Sequence, residues 1–142
     1  MIRRFKERDL DEVMSIWLTA NIEAHSFIEA DYWRGNFDYV RDAILTAEVF
    51  VSEVEGQING FIGIIDNYIA GIFVKSSERT KGIGSDLLNT AKKEKETLSL
   101  KVYTKNENAV SFYWNAGFKI EAKDMDEETS EMEYMMSWKA AF

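Results

Sequence analysis

The densest chemistry in the chain lies in Arg79-Thr80-Lys81-Gly82-Ile83-Gly84-Ser85, between an apolar run, Tyr68 to Val74, and a segment of helical period. Gly82 and Gly84 lack a Cβ, so the backbone there can adopt positive φ and let a ligand approach closely. A helix that begins at such a turn presents unpaired N–H groups and the positive end of its dipole, which together suit a phosphate or pyrophosphate. The alternative is a tight turn with no ligand, and glycine spacing alone does not separate the two. A nucleotide P-loop is excluded, because Gly84 is followed by Ser85-Asp86 where that motif requires a lysine.

Other reactive groups are few. With no Cys there is no disulfide, no thiolate metal site and no cysteine nucleophile, and the single His25 excludes a multi-histidine centre, so no metal is expected. His25 lies in an aromatic stretch, Ala24 to Trp33, and has two readings: a base that titrates near working pH, or a hydrogen-bonded structural residue. Tyr32 and Trp33 likewise either line a pocket or roof the core. The formal net charge of −8, without a dense Lys/Arg cluster, argues against nucleic acid and anionic membrane as partners. It favours a cationic small molecule or a basic peptide.

Elements to position these groups are legible from periodicity. Ile2 to Phe5 reads as a short strand. Asp9 and Glu12 read as a capping box ahead of Leu10, Val13, Met14, Trp17 and Leu18, an amphipathic helix over about residues 10 to 21. Ala24 to Trp33 is a short helix or ordered loop, and a second helical pattern runs from Phe37 through Val40 to Ile44 and Leu45. The period then changes to two: Val49 to Val54, a turn at Glu55-Gly56-Gln57, and Ile58 to Ile65 form an antiparallel hairpin. Tyr68 to Val74 suits a central strand, with Gly71 marking a bulge or a close approach to the backbone. A helix follows Gly82, then a strand from Leu98 to Tyr103, a helix from Glu107 to Ala116 stopped by Gly117, and two strands, Phe118 to Lys123 and Glu131 to Trp138, around an acidic loop. The apolar face of the last strand either packs internally or forms a homodimer.

Residues 1–142 therefore read as a single mixed α/β domain in the order β-α-α-β-β-β-α-β-α-β-β. It carries a mostly antiparallel twisted sheet of about seven strands with helices on both faces. The absence of a signal-like N-terminus or a long apolar run predicts a soluble cytoplasmic protein.

Two linked stretches resemble the GNAT superfamily of N-acetyltransferases. One is the acyl-CoA pyrophosphate loop, Arg/Gln-x-x-Gly-x-Gly/Ala, present as Arg79 to Gly84. The other is a strand leading through an Asn to a Phe-Tyr pair and a Gly-Phe, present as Leu100, Val102, Asn106, Ala109, Phe112, Tyr113, Gly117 and Phe118. The resemblance spans about Ile58 to Phe118. It implies acetyl-CoA as co-substrate, with its pyrophosphate on the amides of Arg79, Thr80, Lys81, Gly82, Ile83 and Gly84 and the Ser85 hydroxyl beside them. Ile72, Phe73 and Val74 would pair with the pantetheine arm as if it were another strand, one of their N–H groups polarising the thioester carbonyl. Asn106 would bond the pantetheine, and Tyr113 would act as general acid toward the departing thiolate.

Upstream, His25, Tyr32 and Trp33 fall in the family's variable acceptor-side region. Some relatives carry a glutamate on the strand before the Asn, but the matching strand here offers Lys101 and Tyr103. Glu53 or Asp66 acting through water, His25, or an amine arriving neutral all stand as ways to supply the nucleophile. Without Cys, the implied reaction is direct acetyl transfer to a primary amine of a small molecule or peptide in a ternary complex. The competing reading is a non-catalytic acyl-CoA sensor or interaction module.

Overall fold

The computed structural model describes residues 1–79 and 81–141. Seven strands form one sheet: β1 (Ile2–Arg4), β2 (Glu48–Val54), β3 (Gln57–Ile65), β4 (Tyr68–Val74), β5 (Thr97–Tyr103), β6 (Lys119–Asp126) and β7 (Glu131–Lys139). Five helices cover it: α1 (Leu10–Ala24), α2 (Ala30–Gly35), α3 (Phe37–Ile44), α4 (Ile83–Glu94) and α5 (Glu107–Asn115). The order across the sheet is β1-β2-β3-β4-β5-β7-β6. Every neighbouring pair is antiparallel except β4 with β5, the crossover pair that α4 connects.

Two apolar layers result. On one face α4 and α5 bury Leu87, Leu88, Ala91 and Tyr113 against Ile62, Ile64, Leu98, Leu100 and Met136. On the other, α1 to α3 bury Val13, Met14, Trp17, Trp33 and Ile44 against Val49, Val51, Phe61 and Tyr103. The apolar face of β7, with Tyr134, Met136 and Trp138, packs inside the chain against the first of these layers.

Of three local expectations, two are resolved and one fails. The stretch after α1, read as a short helix or ordered loop and left out of the element order, contains a short helix, α2, so three helices precede β2. Its six residues are held by the burial of Trp33, which is 8% exposed, rather than by a sustained period. The predicted capping box does not form, because both carboxylates have partners from elsewhere in the chain. Asp9 accepts from Arg3 (2.8 and 2.9 Å) and from the Lys6 amide (2.8 Å), while Glu12 accepts from the Ile58 amide (3.0 Å). The bulge at Gly71 does form: Gly63 faces Gly71 and Ile64 faces Ile69, which leaves Ala70 as the extra residue on β4. A Cβ on Gly71 would lie 2.4 Å from the ring of Phe73.

Candidate active site

β4 and β5 are in register only at Tyr68 with Ser99 and Ile69 with Leu100. Beyond these positions the strands part. Ile72, Phe73 and Val74 are therefore only half-buried although β4 lies mid-sheet, and their edge toward β5 has no strand partner among the described residues. An extended chain of amide-like groups would find hydrogen-bonding partners there.

The parted strands lead to the glycine turn. After a short 3₁₀ turn at Ser76–Glu78, Arg79 folds back so that its Nε donates to the Val74 carbonyl (3.4 Å), and Lys81 pairs with Glu78 (2.9 Å). Gly82 has φ 82° and caps α4, and a Cβ there would meet nothing within 4 Å. The first helical bond runs from the Asp86 amide to the Gly82 carbonyl (3.0 Å), leaving the amides of Ile83, Gly84 and Ser85 without helical partners. Open space over a left-handed glycine, facing free amides at the positive end of a twelve-residue helix, fits a pyrophosphate. Thr80, expected in this cradle, lies outside the described residues.

α5 forms the other wall. Asn106 caps it, its Oδ1 accepting from the Ala109 amide (3.3 Å). Gly117, at φ 96°, ends it with the Phe118 amide bonded to the Tyr113 carbonyl (3.0 Å). Lys92 of α4 ties the two helices together through the Ala116 carbonyl. Tyr113, seven residues after Asn106, is 7% exposed and wedged edge-on between Phe112 and Phe118, with centroids 5.2 and 5.6 Å away. Its hydroxyl makes no hydrogen bond among the described residues. Burial drives this phenol well above the usual tyrosine value, and nearby Tyr68 adds to the shift.

On the opposite face His25 stacks on Trp33 (5.2 Å, 28°) and meets Phe27 and Tyr103 edge-on. Its Nε2 is 3.1 Å from Asn106 Nδ2. The cap turns the Asn106 oxygen toward Ala109, so the amide nitrogen faces the imidazole and donates to it. That assigns the neutral tautomer with its proton on Nδ1, a buried atom without a partner. Burial holds the His25 pKa below its ordinary value, with the Asn21 carbonyl pulling the other way. Trp33 also leaves its buried Nε1 unpartnered. Tyr32 donates to Glu128 (2.8 Å), and burial followed by that bond pushes its phenol far up.

The site thus brings together the groove strand, the glycine turn, Asn106 and Tyr113, with His25, Tyr32 and Trp33 across the sheet. It does not bring Glu53 or Asp66. Glu53 is bound by Arg3 (3.0 Å) where β1 meets β2, and Asp66 occupies the β3–β4 turn with φ 57°. A set of carboxylates escaped the sequence reading: Asp126, which accepts from Tyr103 (2.8 Å), Glu128, and Glu133 directly opposite Tyr103 in the β5–β7 pairing. The available signal was the alternation of Glu131 and Glu133 in the last strand, which places them on the face away from Met132, Tyr134 and Met136.

Residues 46–120 match the family described as acetyltransferase (GNAT) domain, a span that runs from just before β2 to the start of β6 and encloses the groove, the glycine turn and α5. This chain is a GNAT acetyltransferase. It is 35% identical over 140 residues to the peptidyl-lysine N-acetyltransferase YiaC of Escherichia coli (strain K12), covering 97% of this chain and 96% of that protein. The solution structure of the apo form of YjaB from Escherichia coli has the same fold, with a TM-score of 0.85 at 27% identity over 99% of this chain and 98% of that one. A structure from Bacillus anthracis str. Ames, solved in complex with acetyl coenzyme A, aligns with a TM-score of 0.61 at 25% identity, covering 67% of this GNAT chain and 63% of its own.

Proposed function

We propose that this GNAT acetyltransferase moves the acetyl group of acetyl-CoA directly to the side-chain amine of a lysine in a peptide or protein. The observation that carries this reading is the parting of β4 from β5 between the glycine-capped start of α4 and the Tyr113 face of α5. The acceptor class follows from the acidic, aromatic face across the sheet, where Tyr32, Tyr103, Asp126, Glu128 and Glu133 gather, and from the lysine acceptors named for its relatives.

In this reading the free amides of Ile83, Gly84 and Ser85 hold the pyrophosphate, and the β4 edge from Ile72 to Val74 aligns the pantetheine and aims an N–H at the thioester oxygen. Asn106 keeps α5 seated at the groove. Tyr113 gives its proton to the leaving sulfur. Burial makes the phenol a weaker acid, but the same dry site raises the basicity of a thiolate beside it, so the transfer stays matched. With no Cys in the chain, the acetyl group has no thiol to pause on.

CoA release measured with a thiol reagent, across lysine peptides, polyamines and aminoglycoside-like amines with mass detection of products, tests the reading. Lysine peptides are expected to turn over fastest. Saturable acetyl-CoA binding with no release for any amine identifies a sensor instead. Tyr113→Phe is expected to lower kcat by about 10² or more while leaving acetyl-CoA affinity unchanged; full turnover in that variant removes the general-acid role.

A further inference from the structure

A lysine ammonium has a pKa near 10.4, so at neutral pH something must take its proton before the nitrogen can attack. The carboxylates weighed from sequence are elsewhere, and the accepting nitrogen of His25 is already occupied by Asn106. Of the acids on the acceptor face, Asp126 accepts from Tyr103, Glu128 accepts from Tyr32, Glu131 pairs with Lys105 (2.9 Å), and Asp124, opposite Glu133 on β6, is exposed to solvent. Glu133 makes no hydrogen bond or ion pair among the described residues.

Its position is specific. Glu133 lies opposite Tyr103, so its side chain leaves the sheet on the face of α1 and α2, whereas Val102 and Tyr134, one step along in alternation, point under α4 and α5. It is half-buried. The groups around it come from every neighbouring element: Lys101 and Tyr103 on β5, Asp124 directly opposite and Asp126 on β6, Tyr32 on α2 and Tyr68 on β4. Tyr68, the first of the two β4 residues paired with β5, is close enough to feel the charge of Glu133 on one side and to act on Tyr113 on the other. Tyr103 and its partner Glu133 thus lie past Leu100, along the stretch of β5 that has parted from β4, while Tyr113 packs on the other face of the sheet.

We infer that Glu133 is the general base of the reaction, taking the proton from the acceptor ammonium directly or through one water. This rests on the acetyl-transfer reading above. Burial, and then the charge of Asp126, raise the Glu133 carboxyl above its usual range while Lys101 pulls it back, which moves it toward the working pH of a base. Glu133 takes one proton from the ammonium. The amine lone pair then forms the C–N bond to the thioester carbon as the C–S bond breaks, and its electron pair leaves on sulfur. Tyr113 protonates that sulfur and is itself restored by the second proton of the attacking nitrogen. The proton on Glu133 passes to solvent, so one acetyl-CoA and one ammonium give one amide, one CoA thiol and one released proton.

The test compares the native protein with Glu133→Gln and Glu133→Asp on a lysine peptide and on a weakly basic amine that is already neutral at the assay pH. For the peptide, Glu133→Gln is expected to lose about 10²-fold or more in kcat/KM, with Glu133→Asp intermediate and the KM for acetyl-CoA unchanged. The weakly basic amine is expected to lose less than about threefold, because it has no proton to give up. Peptide turnover retained by Glu133→Gln, or an equal loss for both amines, overturns the role of Glu133 and leaves the acetyl-transfer reading intact. No CoA release by the native protein with any amine overturns both. Thermal unfolding with saturating acetyl-CoA separates a lost base from a lost fold, and Glu133→Asp carries the comparison if the Gln variant does not fold.

Discussion

At the scale of single residues, His25 can be followed without ambiguity because the chain has no other histidine. Protonating its Nε2 would set a donor against the amide nitrogen of Asn106 and place a charge among Trp33, Phe27 and Tyr103. The folded protein resists that proton, so the His25 pKa falls below its ordinary 6.5 while the unfolded chain titrates normally. The stability this neutral histidine contributes is fully present above the unfolded value and is lost as pH falls toward and through the folded one. Glu133 acts with the opposite sign: its raised carboxyl pKa makes the folded state bind a proton more readily, so its contribution improves as pH falls through that raised value. The lowered pKa values of Asp9 and Glu53 matter only in stronger acid. Denaturant unfolding from about pH 7.5 to 5.5 is expected to show declining stability, with the decline reduced in His25→Gln. Proton NMR of the imidazole should return a midpoint below 6.5. A midpoint at or above the ordinary value would mean that the Asn106 contact does not hold the neutral form.

At the scale of elements, the seat of α4 depends on a position with no side chain. A Cβ on Gly60 of β3 would lie 3.0 Å from the Phe73 carbonyl and 3.1 Å from Ile83 Cγ2, so α4 can pack this close only over glycine. Gly60→Ala is expected to cost about 1–3 kcal/mol by overpacking and, in the proposed reading, to weaken acetyl-CoA binding, because Ile83 opens the helix whose first amides would hold the pyrophosphate. Differential scanning calorimetry and titration calorimetry measure the two effects; unchanged affinity with lowered stability would detach the helix seat from the ligand site. The elements themselves were readable where one pattern dominates: the two-residue period of β2 and β3, the apolar run of β4, and the glycines before α4 and after α5. What escaped were features made by distant partners. Arg3 and the Ile58 amide draw Asp9 and Glu12 away from a cap, and α2 is held by burial of Trp33 and the bond from Tyr32 to Glu128. The parting of β4 from β5 is a relation between strands some thirty residues apart, and neither strand encodes it alone. Glu133 looks like an ordinary solvent-side residue of an alternating strand until β7 pairs with β5 beneath α2.

At the scale of the whole molecule, the sheet consists of β1 to β4 and β5 to β7, joined in register at only two positions. In the proposed reading the acetyl-CoA arm supplies the missing pairing, so ligand binding and sheet rigidity would share one free energy. Hydrogen exchange is expected to be fast at Ile72 to Val74 in the free protein relative to the fully paired β2 and β3, and to slow when acetyl-CoA is added; equal protection in both states would mean that the edge is already satisfied. An open strand edge is also a template for any extended chain, and natural sheets normally keep such edges short, charged or covered. Here the edge lies in the middle of the sheet and is formed by the apolar residues Ile72, Phe73 and Val74, with the Arg79 guanidinium at its end. Under the proposed binding mode the donor substrate would also cover this edge, so the free protein is expected to self-associate more readily than protein saturated with acetyl-CoA, a difference that sedimentation velocity would show.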